Sequence, residues 1–272
     1  MADLRRIHCR LRTLGGYAVV AASAFLFYQS VAVAAEPDFD REVRLAVEIE
    51  DAIIDGEPIY LTADGREFLG IFMETDAQRV RGAVIVLHGR GFHPDWVDVA
   101  QPLRVGLTER GWHTLSLQMP VLEKTAKYYD YVPIFDYAFP RIEAGIDYLR
   151  QRGVQRVVIA AHSCSVHMSM AWLDARGDDR IDAYIGLGMG ATDYKQPMRK
   201  PFPLEKLEVP VLDVYGGEDY PAVQRGALDR MAEILAAGNA KSAQVVVPGA
   251  DHYFKDHDDA LLEVVGAWLE SL

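Results

Sequence analysis

One stretch of the chain, residues 156–170, constrains the fold more than any other. It begins with a run of β-branched and small apolar residues at 157–161, which is typical of a strand buried on both faces of a parallel sheet. From Cys164 onward the apolar residues recur at helical spacing. Ser163 therefore lies at an abrupt turn between a strand and a helix, and this unit indicates a fold of alternating strands and helices.

A serine at such a turn is typical of a nucleophile elbow, whose usual pattern is G-x-S-x-G. Small residues are needed there because the tight turn presses neighbouring backbone against the positions two before and two after the serine. Ala161 and Ser165 occupy those positions here, and they are the smallest side chains that still carry a Cβ. The pentapeptide alone fits equally an ordinary turn in which Ser163 caps the helix, so the choice depends on the rest of the chain.

The same alternation extends from residue 82 to the end of the chain. It predicts a mainly parallel sheet with helices on both faces. The predicted strands are residues 83–87, 113–118, 157–161, 183–187, 211–215 and 244–247, and the predicted helices are 97–110, 141–152, 164–175, 223–237 and 261–272.

Two earlier segments are interpreted as strands, and the hairpin formed by the second is expected to lead into one edge of this sheet. The first segment is residues 43–53. Residues 59–74 are interpreted as a hairpin because the Asp64-Gly65 pair is a strong turn signal. The expected class is therefore α/β, a doubly wound, mainly parallel sheet with an antiparallel hairpin before it.

The first 35 residues resemble a secretory signal peptide. Four arginines precede a largely apolar segment at 14–33, and Ala32-Val33-Ala34 forms an A-x-A cleavage pattern. The alternative is an uncleaved anchor, because the apolar stretch approaches the roughly 20 residues that span a bilayer. We therefore expect export, to a bacterial periplasm, with membrane attachment only if the segment stays uncleaved, and a single folded domain over residues 36–272.

Charge and cysteine content exclude several classes of function. The formal net charge is −12, and no basic stripe interrupts the acidic surface, so we expect no nucleic-acid partner. Once residues 1–35 are removed, Cys164 is the sole cysteine, which rules out an intramolecular disulfide or a zinc ribbon. No H-E-x-x-H motif occurs, and we expect neither a metal nor another cofactor. Oligomeric state cannot be deduced from these features.

Glycine-rich and polar residues follow several of the predicted strands, at the edge where ligands bind in such sheets. His88 to Gly91 follow the first parallel strand. Glycines there allow the loop to aim a backbone amide at the point where a substrate oxygen on Ser163 would become charged. The expected oxyanion donors are the amides of Arg90 and Cys164, and His88 is expected to tie the loop together.

A carboxylate and a histidine follow the last two predicted strands. Asp219 comes after strand 211–215, with Glu218 as its competitor, and His252 follows the glycine turn after strand 244–247. A carboxylate that accepts the imidazole Nδ1–H leaves Nε2 free to act as a base. The chain order Ser163, Asp219, His252 is that of a nucleophile, acid and base placed just beyond three strand ends.

With these residues in place, the chain from residue 83 onward resembles the α/β-hydrolase superfamily. More narrowly, V-L-H-G-R-G-F-H-P-D-W followed by E-R-G-W-H-T-L-S-L-Q-M-P is similar to an uncharacterised bacterial branch, a domain of unknown function. The resemblance implies the hydrolase fold and the triad roles of Ser163, Asp219 and His252. It implies no particular substrate, and Ala161 and Ser165 depart from its elbow glycines.

We therefore expect a serine hydrolase of carboxylesterase type that cleaves an ester, thioester or amide of a small to medium acyl substrate. Cys164 is a poorer candidate for the nucleophile. An elbow centred on it would place His162 and Val166 at the two positions that require small side chains. The alternative is a non-catalytic exported binding or assembly protein on the same fold.

Two segments are candidates for the substrate site. Tyr128, Tyr129 and Tyr131 lie in an aromatic segment after the second parallel strand. They could wall an acyl pocket or pack that segment onto the sheet. Residues 193–204 contain three prolines and are expected to form a small lid.

Overall fold

The computed structural model describes residues 35–272, and its centre is an eight-stranded sheet. The strand order is β1-β2-β4-β3-β5-β6-β7-β8. The strands are β1 (Glu57–Ala63), β2 (Arg66–Met73), β3 (Gly82–Leu87), β4 (Trp112–Leu117), β5 (Val157–His162), β6 (Ala183–Leu187), β7 (Val211–Gly216) and β8 (Ala243–Val247). All pairs from β4 to β8 are parallel, whereas β1 with β2 and β2 with β4 are antiparallel.

Within the part of the chain that the structure describes, eight α-helices and two short 3-10 helices accompany the sheet. The helices are α1 (Phe39–Ala52), α2 (Ala100–Glu109), α3 (Tyr128–Tyr131), α4 (Phe139–Gln151), α5 (Cys164–Arg176), α6 (Pro221–Arg225), α7 (Ala227–Ala236) and α8 (Asp258–Glu270), and the 3-10 helices are Val132–Ala138 and Leu204–Lys206. Two separate clusters of buried apolar side chains cover the two faces of the central strands, as expected for a doubly wound sheet.

The predicted fold class is confirmed. The six parallel strands lie within one or two residues of the expected bounds, and the hairpin turns at Asp64-Gly65 and pairs with β4 at the edge of the sheet. Residues 193–203 contain neither a helix nor a strand, so the predicted lid is a small irregular segment.

The prediction of a strand at residues 43–53 is wrong, because α1 occupies this segment. Its apolar residues satisfy both the strand and the helix period, and tertiary contacts decide between them. Asp38 caps the helix by accepting a hydrogen bond of 2.9 Å from the amide of Arg41. Ala46 and Ile49 are buried on one helical face together with Glu42, as a helix and not a strand would place them.

The predicted helix 223–237 is divided in two at Gly226, between α6 and α7. The guanidinium of Arg230 donates a hydrogen bond of 2.9 Å to the carbonyl of Val223. In an unbroken helix that carbonyl would accept from the amide four residues later. The side chain of Arg230 thus replaces a helical hydrogen bond, and it also forms a buried ion pair with Asp213.

The predictions for residues 1–34, including the signal peptide or anchor, concern residues outside those that the structure describes. Within residues 35–272, no helix combines the length and the apolar character needed to cross a bilayer.

Candidate active site

Ser163 lies at the turn between β5 and α5, as the sequence predicts. Its backbone angles are φ 56° and ψ −114°, a region that costs a non-glycine residue about 1–3 kcal/mol. The buried strand before it and the largely buried helix after it hold this conformation, and the Ser163 amide donates to the carbonyl of Leu187 at 2.9 Å. The strained turn leaves the hydroxyl at the carboxyl edge of the sheet.

The structure brings Ser163, His252 and Asp219 into one hydrogen-bonded chain. The distance from His252 Nε2 to Ser163 Oγ is 2.8 Å, and that from His252 Nδ1 to Asp219 Oδ1 is 2.7 Å. The imidazole is only 1% exposed and Asp219 only 4%, so water does not compete for these bonds. In this geometry Nδ1–H donates to the carboxylate and Nε2 accepts the serine proton.

Asp219, and not Glu218, is the carboxylate behind the imidazole. Its Oδ1 also accepts a hydrogen bond of 2.6 Å from the amide of Tyr220, which fixes the carboxylate at the end of β7. Glu218 is exposed to solvent. The alternative left open by the sequence is therefore decided by burial and hydrogen bonding.

The imidazole of His252 is confined on several sides. The ring of Tyr220 stacks on it with centroids 4.2 Å apart. Gly188 has a φ of +65°, and a Cβ there would lie 2.7 Å from the imidazole Cε1, so only glycine fits. The neutral ring of His162 donates from Nε2 to the backbone carbonyl of His252 at 3.0 Å, and burial lowers the pKa of His162 to about 3.

A small cavity beside the serine is lined by Arg90 and Cys164, the two residues whose amides are predicted to be the oxyanion donors. Arg90, Ser163 and Cys164 line it together with Tyr128, Ala191, Thr192 and Tyr220. Cys164 is the first residue of α5, where an amide has no acceptor within its own helix. The positive end of the helix dipole adds to the stabilisation of negative charge at this point.

The loop that carries Arg90 is fixed by His88, in the structural role that the sequence predicts. His88 is buried, its Nε2 accepts from the amide of Met119 at 2.9 Å, and its Nδ1 donates to the carbonyl of Gly89 at 2.8 Å. Burial lowers the pKa of His88 to about 3, so the ring is neutral at physiological pH. The hydrogen bonds of the His88 ring go to Gly89, Gln118 and Met119 and not to Ser163.

Ser165 has a role that the sequence does not reveal. Its hydroxyl donates to the backbone carbonyl of His88, which ties the first turn of α5 to the loop of Arg90. The two partners are 77 residues apart, so no local pattern could indicate the bond. The serine that replaces the second elbow glycine thus connects the two segments that carry Arg90 and Cys164.

The three predicted substrate-site tyrosines have different surroundings. Tyr128 lines the cavity beside Ser163, and its hydroxyl accepts from the amide of Arg199 at 2.9 Å. Tyr131 is buried in the core, where its hydroxyl accepts from the amide of Leu122. Tyr129 packs against the core, and its hydroxyl donates to Pro197. Neither Tyr129 nor Tyr131 is among the residues that line the cavity, and their contact with a substrate stays a prediction.

A larger cleft of about 660 Å³ opens next to this cavity. The two share Arg90, Thr192 and Tyr220 as walls. The remaining lining residues are Asp193, Tyr194, Lys195, Gln196, Pro197, Pro221, Ala222 and Arg225. They come from the predicted lid segment and from α6, and the sequence did not indicate that these segments meet.

Cys164 is unsuited to act as the nucleophile. Its thiol is buried, and burial raises its pKa to about 12, so it stays protonated at neutral pH. Within the described range no cluster of three or more His, Cys, Asp or Glu side chains has the arrangement of a metal site.

Comparison with known proteins shows which of them parts of this chain are similar to. Residues 21–131 match the model of a family described as "Protein of unknown function (DUF3530)". The chain is also 32% identical, over 88 residues, to the "Putative carboxymethylenebutenolidase" of Salmonella typhimurium. That match covers 31% of this chain and only 32% of the length of the relative.

Solved structures agree over most of the chain. A dienelactone hydrolase from Anabaena variabilis superposes with a TM-score of 0.60 at 15% identity, covering 80% of this chain and 97% of that one. An esterase from Pyrococcus furiosus superposes with a TM-score of 0.62 at 14% identity, covering 82% and 95%. The chain therefore has the α/β-hydrolase fold. The predicted fold is confirmed, and so is the predicted resemblance of part of the chain to an uncharacterised family.

Proposed function

We propose that this protein is a serine hydrolase that uses Ser163, His252 and Asp219 as a catalytic triad. The observation that carries the proposal is the continuous chain of hydrogen bonds from Ser163 Oγ through the imidazole to the buried carboxylate. Proteins of similar fold with hydrolase names support the same conclusion. The strained backbone at Ser163 is a further feature typical of a nucleophile elbow.

The first half of the reaction forms an acyl-enzyme. His252 Nε2 accepts the proton of Ser163 as Oγ attacks the carbonyl carbon of the substrate. The amides of Arg90 and Cys164 stabilise the oxyanion of the tetrahedral intermediate, and one such donor is typically worth about 3–4 kcal/mol. His252 then gives its proton to the leaving alcohol as the bond to the acyl carbon breaks.

The second half releases the acyl group. A water molecule loses a proton to His252 and attacks the acyl carbon, and the imidazolium returns the proton to Ser163 as the carboxylic acid leaves. The carboxylate of Asp219 stabilises the imidazolium in both halves. The same steps apply to an ester, a thioester or an amide of a small to medium acyl group. The names of the similar proteins favour an open or cyclic ester.

Labelling with a fluorophosphonate tests the proposal, because such a reagent reacts with activated serines. We expect mass spectrometry to find one adduct, on Ser163, in the full chain. Ser163→Ala should abolish the adduct, and Ser271→Ala, at the exposed end of α8, should retain it. Well-folded protein that stays unlabelled would contradict the proposal and favour a non-catalytic binding protein.

We also propose that residues 1–35 direct export to a bacterial periplasm and are then removed. The arginines, the apolar segment and the A-x-A pattern of the sequence support this. Cell fractionation followed by N-terminal sequencing tests it, with a new N-terminus near Glu36 as the expected result. An intact Met1 in the membrane fraction would instead establish an anchor, and an intact Met1 in the cytoplasm would refute export.

A further inference from the structure

The cleft beside Ser163 has a local charge opposite to that of the whole protein. Its lining includes Arg90, Lys195 and Arg225, with Asp193 as the one acidic side chain among the lining residues. The chain as a whole carries a formal net charge of −12. A cleft lined by one sign of charge concentrates ligands of the other sign.

The single carboxylate in the lining is already neutralised. Asp193 forms a bidentate ion pair with the guanidinium of Arg90 and accepts a hydrogen bond of 2.6 Å from the amide of Tyr128. Burial acts in the opposite direction, yet the hydrogen bonds from Arg90 and Tyr128 hold the pKa of Asp193 below its usual value. Arg90 and Asp193 therefore contribute no net charge to the cleft.

Two cations remain. Neither Lys195 nor Arg225 has an acidic partner within salt-bridge distance among residues 35–272. Lys195 belongs to the segment after β6 and Arg225 ends α6, and both line the cleft. Two like charges that line one cleft repel each other, and an anion bound with them would relieve that repulsion.

The polar groups of the cleft also favour an anion. Gln196 accepts a hydrogen bond from the amide of Tyr129 through its Oε1, which leaves its side-chain N–H groups as donors. Thr192 adds a hydroxyl, on the wall that the cleft shares with the cavity of Ser163. Donors and cations thus surround a space that continues into the site of attack.

Resting on the proposed function, we propose that the substrate is an ester that also carries an anionic group, such as a carboxylate, bound between Lys195 and Arg225. The ester carbonyl would lie at Ser163 while the anionic group occupies the cleft. The volume of about 660 Å³ is in the range of small-molecule sites and accommodates both parts of such a molecule. The cations select the substrate, and the triad carries out the reaction.

Two matched pairs of esters test the inference. The first pair places the charge on the acyl side: p-nitrophenyl hydrogen adipate against p-nitrophenyl hexanoate. The second places it on the alcohol side: 4-acetoxybenzoate against 4-methylphenyl acetate. In each pair a carboxylate replaces a methyl group. For each pair we measure the ratio of kcat/KM for the charged ester to that for the neutral one.

We expect Lys195→Gln and Arg225→Gln each to lower this ratio by about two- to fivefold in at least one pair, as for partly exposed charges. The double variant should lower it by about tenfold, and the effect should fade at high ionic strength. The rate with the charged ester should fall more than the rate with the neutral one. Arg81→Gln is the matched control. Arg81 is exposed and directly precedes β3, so it lies at the amino ends of the parallel strands, whereas Ser163 lies at their carboxyl ends.

The outcomes separate this inference from the proposed function. If both cation variants leave the ratio unchanged in both pairs while the neutral esters are cleaved, the anion site is refuted and the hydrolase remains. If Arg81→Gln lowers the ratio as much as Arg225→Gln, the effect comes from overall charge and the site is likewise refuted. If the wild type cleaves none of the four esters, the proposed function fails, and this inference fails with it.

Discussion

The floor and the rim of the candidate site are built in opposite ways. The floor comprises His88, His162, Ser165 and His167, all buried and each held by at least one hydrogen bond to a backbone carbonyl. The rim comprises Lys195 and Arg225, which are exposed and have no acidic partner in the described residues.

This difference separates chemistry from selectivity. The floor side chains carry no charge at neutral pH, and they fix the segments that carry Arg90, His252 and Ser163. The rim side chains are charged. They lie on a loop segment and at the end of a short helix, where a substitution does not disturb the sheet. We therefore expect substitutions around the floor to affect turnover or stability, and substitutions at the rim to affect the choice of substrate.

The largest effect should come from the buried carboxylate of Asp219 behind the imidazole. Asp219→Asn should lower kcat by about 10⁴-fold, because the imidazole then loses the partner that fixes its tautomer. Glu218→Gln is the matched control, since its carboxylate is exposed and should leave kcat within about twofold. Steady-state kinetics on p-nitrophenyl hexanoate measures both. Equal losses in the two variants would refute the assignment of Asp219.

The free energy of unfolding should fall as the pH drops from 6.5 towards about 3. Burial lowers the pKa of His88 and His162 to about 3 and that of His167 to about 4, whereas unfolded histidine titrates near 6.5. In that window the unfolded state binds more protons than the folded state, so acid destabilises the fold. Each histidine should contribute a loss on the order of 2 kcal/mol at pH 5.

Urea unfolding at pH 7 and pH 5 measures this loss. In His167→Gln, whose amide can still donate to the carbonyl of Ala191, the difference in unfolding free energy between the two pH values should shrink by about 2 kcal/mol. If the difference in unfolding free energy does not shrink in this variant, His167 is not a buried, neutral histidine of the floor.

A smaller effect is expected at Ser165. Ser165→Ala removes the hydrogen bond that ties α5 to the loop of Arg90, and a bond of this kind contributes about 1 kcal/mol. We expect kcat to fall about five- to tenfold with little change in KM, because the amides that hold the oxyanion lose their fixed spacing. Ser271→Ala serves as the control. Unchanged kcat in Ser165→Ala would mean that the floor does not position these donors.

The smallest effect concerns Cys164. Because burial raises its thiol pKa to about 12, iodoacetamide at pH 8 should leave Cys164 unmodified in the folded protein and should leave turnover unchanged. Peptide mass spectrometry after alkylation measures the modification. Rapid alkylation under native conditions would show that the site is more open than the structure indicates.

The sequence allowed the parallel strands to be predicted because each is a short, largely apolar run and helical segments lie between most of them. It also pointed to Ser163, Asp219 and His252, since a strand end fixes where a side chain lies in this kind of sheet. The site geometry agrees with those positions. The periodic pattern failed at α1, where apolar residues satisfy two periods and the buried ion pair of Glu42 with Arg141 supports the helix. It also did not indicate the break at Gly226 between α6 and α7.

Contacts between distant segments could not be predicted in this way. Ser165 and His88 are 77 residues apart, and the bond between them depends on how a loop and a helix meet in space. Lys195 and Arg225 lie on two separate surface segments, and no pattern in the sequence indicates that these segments line the same cleft. Tyr131 was expected at the substrate site, but its aromatic ring contributes to the core, because aromatic composition does not distinguish a pocket wall from a packed loop.

The most direct test of the account is the rate of p-nitrophenyl hexanoate hydrolysis by the wild type and by Ser163→Ala, with circular dichroism as the check on folding. We predict that the wild type turns the ester over and that the substitution lowers kcat by at least about 10⁴-fold in a folded protein. A Ser163→Ala variant that retains the wild-type rate would contradict the account, because the bond-breaking group would then lie elsewhere.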